Sequence, residues 1–139
     1  MLPAVARVRR SADFRRVLRQ GRRVARPLLT VHLLVPAMSI VDTSRVDAAV
    51  PRTGARAGLV VNKAVGGSVV RSRTARRLRH LLRDRLPGLP VGADLVVRAA
   101  PAAGTASSAA LGRDLDAALL EAGRPRRAQA RQTPRTAQR

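Results

Sequence analysis

The 139-residue chain has no cysteine, no tryptophan and no tyrosine, and Phe14 is its single aromatic residue. Without cysteine the chain can form no disulfide bond, no thiolate metal site and no thiol redox centre. With one aromatic ring it cannot offer the row of stacking side chains with which some β-sheets read unpaired bases. No apolar run approaches the roughly 20 residues that span a bilayer, and no signal-peptide pattern follows the basic start. We therefore expect a cytoplasmic protein that does not enter a membrane.

Acidic residues are scarce as well. Arginine and lysine together number 28 against eight aspartate and glutamate residues, which leaves a net charge of +20. Such a chain repels itself unless a polyanion neutralises it, so the charge predicts a nucleic-acid partner rather than a membrane surface. A GC-rich genome explains why Lys63 is the single lysine among so many arginines. It does not explain the excess of basic over acidic residues.

Apolar periodicity and turn residues predict three helices and three strands within one domain, residues 1–123. The helices are expected at residues 11–20, 68–86 and 107–122, and the strands at residues 28–35, 57–62 and 94–99. Residues 37–56 lack apolar periodicity and predict a long, mobile connection. Residues 124–139 are basic and polar without apolar content, which predicts a disordered tail.

The first helix and the first strand each show two unlike faces. Ser11 is the expected N-cap of the helix, Gly21 the expected residue past its end, and Phe14, Val17 and Leu18 form its apolar stripe. One face of the strand should pack on the core and carries Leu29, Val31, Leu33 and Val35. The opposite face is half polar, because it carries Thr30 and His32 between two leucines.

The stretch N-K-A-V-G-G-S-V-V-R-S-R-T-A-R-R-L-R-H, from Asn62 to His80, holds the most informative pattern. A glycine pair, Gly66 and Gly67, separates a strand from an arginine-dense helix. On a helical wheel the inward side carries Ala75, Leu78, Leu81, Leu82 and Leu86, and the outward side carries Arg73, Arg76, Arg77, Arg79 and Arg83. Arg71 falls near the apolar stripe, so we expect its side chain to emerge past the end of the core. A donor-rich helix start of this kind is typical of a phosphate-backbone binder.

The residues required for catalysis by the polypeptide are missing. None of the eight acidic residues forms a paired-carboxylate motif, since Asp114 and Asp116 are two apart on a helix and point to different faces. The two histidines, His32 and His80, lack metal-ligand spacing. We therefore predict no catalytic residue and no metal site in the chain itself.

The order of the motifs D-F-R-R-V, G-R-R-V-A, the long central stretch and V-V-R-A-A-P-A resembles the protein component of bacterial ribonuclease P, over about residues 7–123. The resemblance implies an α+β fold, a small two-layer α-β sandwich with the order αβββαβα and a left-handed βαβ crossover. It also implies a non-catalytic, monomeric subunit of a ribonucleoprotein endonuclease. In that enzyme the catalytic RNA subunit, with Mg²⁺ bound to the RNA, removes the 5′ leader of precursor tRNA.

The resemblance also assigns two sets of site residues. The first set would contact the catalytic RNA and comprises Lys63, Arg71, Ser72, Arg73, Arg76, Arg77 and Arg79. The second set would line the cleft for the leader and comprises Phe14, Leu18, Thr30, His32, Val60, Asn62 and Arg98.

The chain departs from the family pattern at several of these places. Gly67 and Ser72 stand where the family usually has asparagines, and Leu18, Leu29 and His32 stand where cleft aromatics are common. We therefore expect the leader to be held through its backbone charge rather than by base stacking. Two alternatives stay open, a ribosomal or ribosome-assembly RNA-binding protein and a nonspecific DNA-compacting protein.

Overall fold

The structure is a computed structural model, and it describes residues 7–8, 11–35 and 54–123. The predicted tail, residues 124–139, lies outside the described residues, as does most of the predicted connection, residues 37–56. The described helices and strands are α1 (Ser11–Gln20), β1 (Arg22–Ala25), β2 (Leu29–Leu34), β3 (Arg56–Val60), α2 (Ser68–Arg85), β4 (Asp94–Ala99) and α3 (Ser108–Ala122). The expected order αβββαβα is confirmed.

Several boundaries differ from the prediction. The residue pattern did not predict β1, because R-R-V-A shows no clear alternation of apolar and polar residues. The mobile connection was predicted to extend to residue 56. That end is wrong, because β3 already begins at Arg56 and the residue before it, Ala55, is buried. Val35 lies past the end of β2 and is exposed, although it was expected on the core face. Two 3₁₀ turns, Leu86–Gly88 and Pro101–Thr105, occupy positions expected to be a helix end and a loop.

The four strands form one sheet in the order β1-β2-β4-β3. β2 pairs antiparallel with both β1 and β4, whereas β3 runs parallel to β4. Parallel neighbours need a crossover connection, and here α2 joins β3 to β4, which makes the βαβ unit. The left hand of this crossover stays a prediction from the resemblance.

The main core lies between one face of the sheet and the helices α2 and α3. Its fully buried side chains are Leu29 and Val31 of β2, Leu95 and Val97 of β4, Leu78 and Leu82 of α2, and Leu111 and Leu115 of α3. These are the apolar faces that the periodicity predicts. One buried residue of α2 was not predicted, Thr74, whose hydroxyl donates to the carbonyl of Val70 at 2.8 Å and is thereby satisfied.

α3 begins and ends where its sequence indicates. Ser107 is the N-cap and has an extended backbone. Its side-chain hydroxyl oxygen accepts a hydrogen bond from the amide of Ala110 at 3.1 Å. Gly123 follows the last helical residue and donates its amide to Leu119. In α1, by contrast, Ser11 is the first helical residue, although it was expected to be the N-cap that precedes the helix. None of the described helices is long and apolar enough to cross a membrane.

α1 packs across the other face of the sheet, on β2 and β4. Its position is held by Asp94, a β4 carboxylate that is only 1% exposed. Arg56 of β3 donates to both oxygens of Asp94 at 3.0 and 3.1 Å, and Arg16 of α1 donates to one of them at 3.1 Å. Asp13 of α1 lies 3.6 Å from the Arg56 guanidinium. This ionic cluster joins α1, β3 and β4. The hydrogen bonds that Arg56 donates to the Asp94 carboxylate raise the pKa of Arg56 despite its partial burial.

Replacing Asp94 with Asn should destabilise the fold by about 2–4 kcal/mol, since two partly buried guanidinium groups would lose their shared charge partner. The measurement is urea or thermal unfolding. Asp116→Asn is the matched control, because Asp116 also binds an arginine, Arg85, but is 60% exposed. We expect that variant to lose less than about 1 kcal/mol. Equal losses in the two variants would contradict the role assigned to Asp94.

Candidate nucleic-acid interface

The outward face of α2 carries a row of arginines because the helix buries Thr74, Leu78 and Leu82. Ser72 is exposed on this face, as are the arginines Arg73, Arg76, Arg79 and Arg83. Within the described part of the chain, no acidic residue forms a salt bridge with Arg73, Arg76 or Arg79. Their guanidinium groups therefore remain available to an external anion, and a guanidinium suits phosphate oxygens through its fixed fork of donors.

Two other predicted arginines of α2 are placed differently. Arg77 is half-buried, and its Nη1 donates to the carbonyl of Ala106 at 2.7 Å, which ties α2 to the segment before α3. The wheel placed Arg77 with the free outward arginines, and that placement is wrong, because the neighbouring segment covers this side of the helix. Arg71 is half-buried as well, and its buried Nε has no hydrogen-bond partner among the residues that the structure describes. Its stem therefore lies along the core face, as the wheel predicts.

The turn between β3 and α2 is ordered by Asn62. The Asn62 side-chain oxygen accepts from the amide of Ala64 at 3.1 Å, and its backbone carbonyl accepts from Val65 at 3.1 Å. Gly66 has a φ of 152°, a conformation that side chains rarely adopt, and an added Cβ would lie 2.9 Å from the side chain of Val70. Asn62 was expected in the leader cleft, and the structure shows that its oxygen serves the turn.

The first turn of α2 presents unsatisfied amides beside Lys63. Gly67 is the N-cap in extended conformation and provides no side-chain cap, and the first turn contains no acidic residue. The exposed residues Lys63, Ser68 and Val69 surround this helix start. Uncapped amides and the positive end of the helix dipole favour an anion at such a position. Gly67, in place of an asparagine, thus leaves the site open rather than capped.

The second candidate surface lies on the α1 face of the sheet. Strand register places the side chains of Ala25, Thr30, Arg98 and Val60 in one row across all four strands. The adjacent row consists of Arg23, His32, Val96 and Gly58. α1 covers one end of this second row, since an added Cβ on Gly58 would lie 2.5 Å from Cζ of Phe14. The first row is only partly covered, since Ala25 and Arg98 are exposed and Thr30 and Val60 are half-buried, and we call this row the cleft floor.

The structure brings the predicted cleft residues together around this floor. Thr30, Val60 and Arg98 share the row, and His32 lies in the next one. Phe14 packs over Gly58, and Leu18, one turn further along α1, is 37% exposed. β3 ends at Val60, and the chain then passes through Lys63 to the start of α2. The turn after β3 therefore links the strand that carries Val60 to the arginine-bearing helix.

His32, in the row next to the cleft floor, is buried without a hydrogen-bond partner among the described residues. It is only 5% exposed, and neither Nδ1 nor Nε2 bonds to another group of the described chain. Burial lowers the pKa of His32 below its usual 6.5, and the positive charges of Arg98 and Arg23 lower it further. The imidazole is therefore neutral near pH 7, with one donor and one acceptor unused.

Sequence comparison identifies the family to which this geometry belongs. The family model described as Ribonuclease P matches residues 2–123. The chain is 52% identical over 131 residues to the ribonuclease P protein component of Salinispora tropica, an alignment that covers 91% of this chain and 96% of that one. The chain belongs to the ribonuclease P protein family. The ribonuclease P protein component of Streptomyces bikiniensis is 55% identical over 119 residues, which cover 86% of this chain and 93% of the relative.

Solved structures of ribonuclease P proteins share the fold at low sequence identity. The protein from Staphylococcus aureus superposes with a TM-score of 0.66 at 21% identity, covering 85% of this chain and 95% of that one. The protein from Thermotoga maritima, solved in complex with 1-(4-fluorophenyl)-2-thiourea, gives a TM-score of 0.60 at 18% identity, over 78% and 92% of the two chains. The small α+β architecture is thus that of ribonuclease P proteins.

Within this family fold, sequence reasoning missed residues that shape the cleft. Gly58 was detectable, because a glycine inside a strand often marks a close approach by another group. Arg23 was not detectable, because β1 itself was not predicted and the position of Arg23 opposite His32 was therefore unknown. The cluster of Asp94, Arg56 and Arg16 was also missed, since 78 residues separate Arg16 from Asp94 in the chain.

Two other features of this ribonuclease P protein lie away from the predicted residues. An apolar groove of about 930 Å³ lies at the other end of the sheet, lined by Leu33, Leu34, Val35, Leu89, Pro90, Leu119 and Leu120 among others. None of the predicted site residues lines it. In the described part of the chain, no group of three histidine, aspartate or glutamate side chains converges to hold a metal ion.

Replacing Gly58 with Ala should displace the Phe14 ring, because the new methyl group would overlap it at 2.5 Å. We expect a loss of about 1–3 kcal/mol in unfolding free energy, the usual cost of overpacking. Gly88→Ala is the control, since an added Cβ there meets nothing within 4 Å, and it should stay within about 0.5 kcal/mol of the parent. Unchanged stability of Gly58→Ala would show that α1 does not pack here.

Proposed function

We propose that this protein binds the catalytic RNA of ribonuclease P through the outward face of α2 and holds the 5′ leader of precursor tRNA in the cleft beside α1. In doing so it promotes the RNA-catalysed removal of the leader, which produces the mature 5′ end of tRNA. The observation that carries the proposal is that, in a member of this family, the strand with Val60 leads through one short turn to the helix whose outward face carries Arg73, Arg76 and Arg79. Val60 and Asn62 border the cleft, and Lys63 begins the α2 surface.

The α2 face is suited to a folded RNA rather than to one base sequence. Arg73, Arg76 and Arg79 project from one rigid helix and are not used in salt bridges within the described chain. Guanidinium groups bind phosphate oxygens irrespective of base identity, and such contacts supply position and affinity. The uncapped start of α2 beside Lys63 adds backbone amides to the same surface. This face therefore favours recognition of the shape and backbone of a structured RNA.

The cleft is suited to an extended single strand. Its floor is one row of short or flexible side chains, Ala25, Thr30, Arg98 and Val60, and its wall is the exposed side of α1. Phe14 is packed on Gly58, so its ring is partly committed to the protein. With no second aromatic ring in the chain, Arg98 and the floor hold the strand through its phosphates, and base stacking contributes little.

The polypeptide does not supply the chemistry of cleavage in this proposal. Asp94, Asp114 and Asp116 are bound to arginine side chains, so they do not form the free carboxylate pair that would activate water or hold Mg²⁺. The described residues therefore do not fit a protein-bound Mg²⁺ site, and we assign Mg²⁺ to the RNA. A single copy of the protein per enzyme and a cytoplasmic location complete the proposal.

Reconstitution tests the function. The purified protein alone should leave precursor tRNA uncut, whereas protein added to the candidate catalytic RNA should increase cleavage at the 5′ end. The increase should be largest at low Mg²⁺ and low salt, because the protein's arginines then replace counter-ions around crowded phosphates. Site-specific cleavage by protein free of RNA would refute the non-catalytic role. Capture of ribosomal RNA in place of one discrete RNA would favour the ribosome-assembly alternative.

Replacing Arg73 with Ala should weaken assembly with the catalytic RNA by about 1–3 kcal/mol, the range for a charged hydrogen-bonding group. The slope of the logarithm of the binding constant against the logarithm of the salt concentration should decrease in magnitude by about one, because one phosphate contact is lost. The protein should melt as the parent does, since Arg73 is exposed. Arg113→Ala, an equal charge change at an exposed position of α3, is the control. Equal weakening by both variants would indicate bulk charge rather than a specific α2 surface.

A further inference from the structure

Three cationic or titratable side chains lie close together on the α1 face of the sheet, one in the cleft floor and two in the row beside it. Arg23 of β1 is directly opposite His32 of β2 in the strand register. Arg98 of β4 is opposite Thr30 and hence diagonal to His32 on the same face. Directly opposed residues have Cβ atoms about 4.5–5.5 Å apart and diagonal ones about 7–8 Å, within reach of long side chains. The two guanidinium groups thus flank the imidazole from the two neighbouring strands.

The imidazole at the centre of this group lacks the hydrogen bonds that burial normally requires. His32 is 5% exposed, and both of its ring nitrogens are without partners in the described chain. A buried polar group left unsatisfied is unfavourable, and the described chain offers the ring no partner of its own, so a bound acceptor would supply one. Arg23 and Arg98 are both exposed, and neither forms a salt bridge with a described acidic residue.

The other charged groups around His32 are accounted for. Asp94 of β4 is bound by Arg16 of α1 and Arg56 of β3 and serves as their partner. Arg15 and Arg19 of α1 are exposed, and α1 turns its apolar residues Phe14 and Val17 towards the sheet. β3 contributes Gly58, which has no side chain, to the same row. No described carboxylate therefore balances the charge of Arg23, His32 and Arg98.

We propose that Arg23, His32 and Arg98 form a proton-linked binding site for a phosphodiester group of single-stranded RNA. A phosphodiester offers only acceptor oxygens and one negative charge, which complements two guanidinium donors and a protonated imidazole. The proton comes from solvent as the strand binds. This site rests on the proposed function, in that the strand is the leader of precursor tRNA. It adds Arg23 to the cleft and gives His32 a charge-dependent role.

The direction of the pH effect follows from linkage. In the free protein, burial and the charges of Arg98 and Arg23 hold the pKa of His32 below its usual value, so the ring is neutral at pH 7. A phosphate at the two arginines cancels their repulsion and attracts the imidazolium, so the pKa is higher in the complex. Binding then takes up a proton, and affinity for the strand rises as the pH falls through the interval between the two pKa values. Well above that interval the ring is neutral in both states and the dependence disappears.

The test measures the ratio of affinities of the reconstituted enzyme for precursor and mature tRNA at about pH 8 and about pH 6, on either side of the usual histidine pKa. One linked proton changes a binding constant by at most about tenfold per pH unit, so we expect the ratio to rise about three- to tenfold on acidification. His32→Gln keeps one donor and one acceptor but cannot take a charge, and its ratio should not change with pH. His80→Gln removes the other histidine and should retain the pH dependence.

Each outcome separates this inference from the function on which it rests. A preference for precursor that is present at about pH 8 but does not grow on acidification overturns the proton-linked site and leaves the proposed function intact. A pH effect that persists in His32→Gln overturns it as well. Absence of any preference for precursor at either pH overturns both.

Direct titration avoids dependence on variants that fold poorly. Nuclear magnetic resonance of the full-length protein follows His32 with and without a leader-length RNA oligonucleotide, with His80 as the internal reference. The His32 pKa should rise on adding the oligonucleotide, and an unchanged value overturns the proposal.

The same oligonucleotide tests Arg23. Arg23→Gln should weaken its binding by about three- to tenfold, as expected for a charged hydrogen bond. Arg113→Gln removes an equal charge from α3, which packs on the opposite face of the sheet, and should bind as the parent does. Equal binding by Arg23→Gln and the parent removes Arg23 from the site and overturns the three-residue arrangement.

Discussion

The buried carboxylate of Asp94 is the interaction on which the cleft depends. Arg56 holds β3 to β4 through it, and Arg16 fixes α1 across the sheet by the same group. A buried charge is tolerated when it is paired and fully hydrogen-bonded, and its loss leaves the partners uncompensated. The wall and the floor of the cleft are thus joined at one point. In a chain with eight acidic residues, one of them sets the geometry of the binding surface.

The pairing of acidic residues with arginines inside the fold also explains which arginine charges stay exposed. Asp94 and Asp114 bind arginines or amides within the fold, and Asp116 pairs with Arg85 between α2 and α3. Structural arginines are therefore neutralised where elements meet, whereas Arg73, Arg76 and Arg79 lie outside these contacts. A positive surface on a rigid helix follows from the placement of the few carboxylates rather than from the number of arginines alone. The same division leaves Arg23 and Arg98 unpaired in the cleft.

Much of the fold was predictable from local pattern. α1 and β4 begin and end at the predicted residues, and Ser107 and Gly123 bound α3 as their residue types indicate. The outward position of Arg73, Arg76 and Arg79 followed from the 3.6-residue period. β1 was missed because a four-residue edge strand with the sequence R-R-V-A carries no period, and its pairing with β2 defines it. Arg77 was placed with the free arginines, because a wheel contains no information about the Ala106 carbonyl from a distant segment.

The sequence by itself determined the family, the order of the three helices and of the strands other than β1, the positive charge and the absence of a cysteine or paired-carboxylate site. These properties depend on residue types and on spacings within single elements. Only the tertiary structure decided that α1 crosses the half-polar face of the sheet, that Phe14 packs on Gly58 and that Arg23, His32 and Arg98 are neighbours on that face. Such contacts join residues far apart in the chain, and strand register and ionic pairing set them. Local propensity carries no information about either.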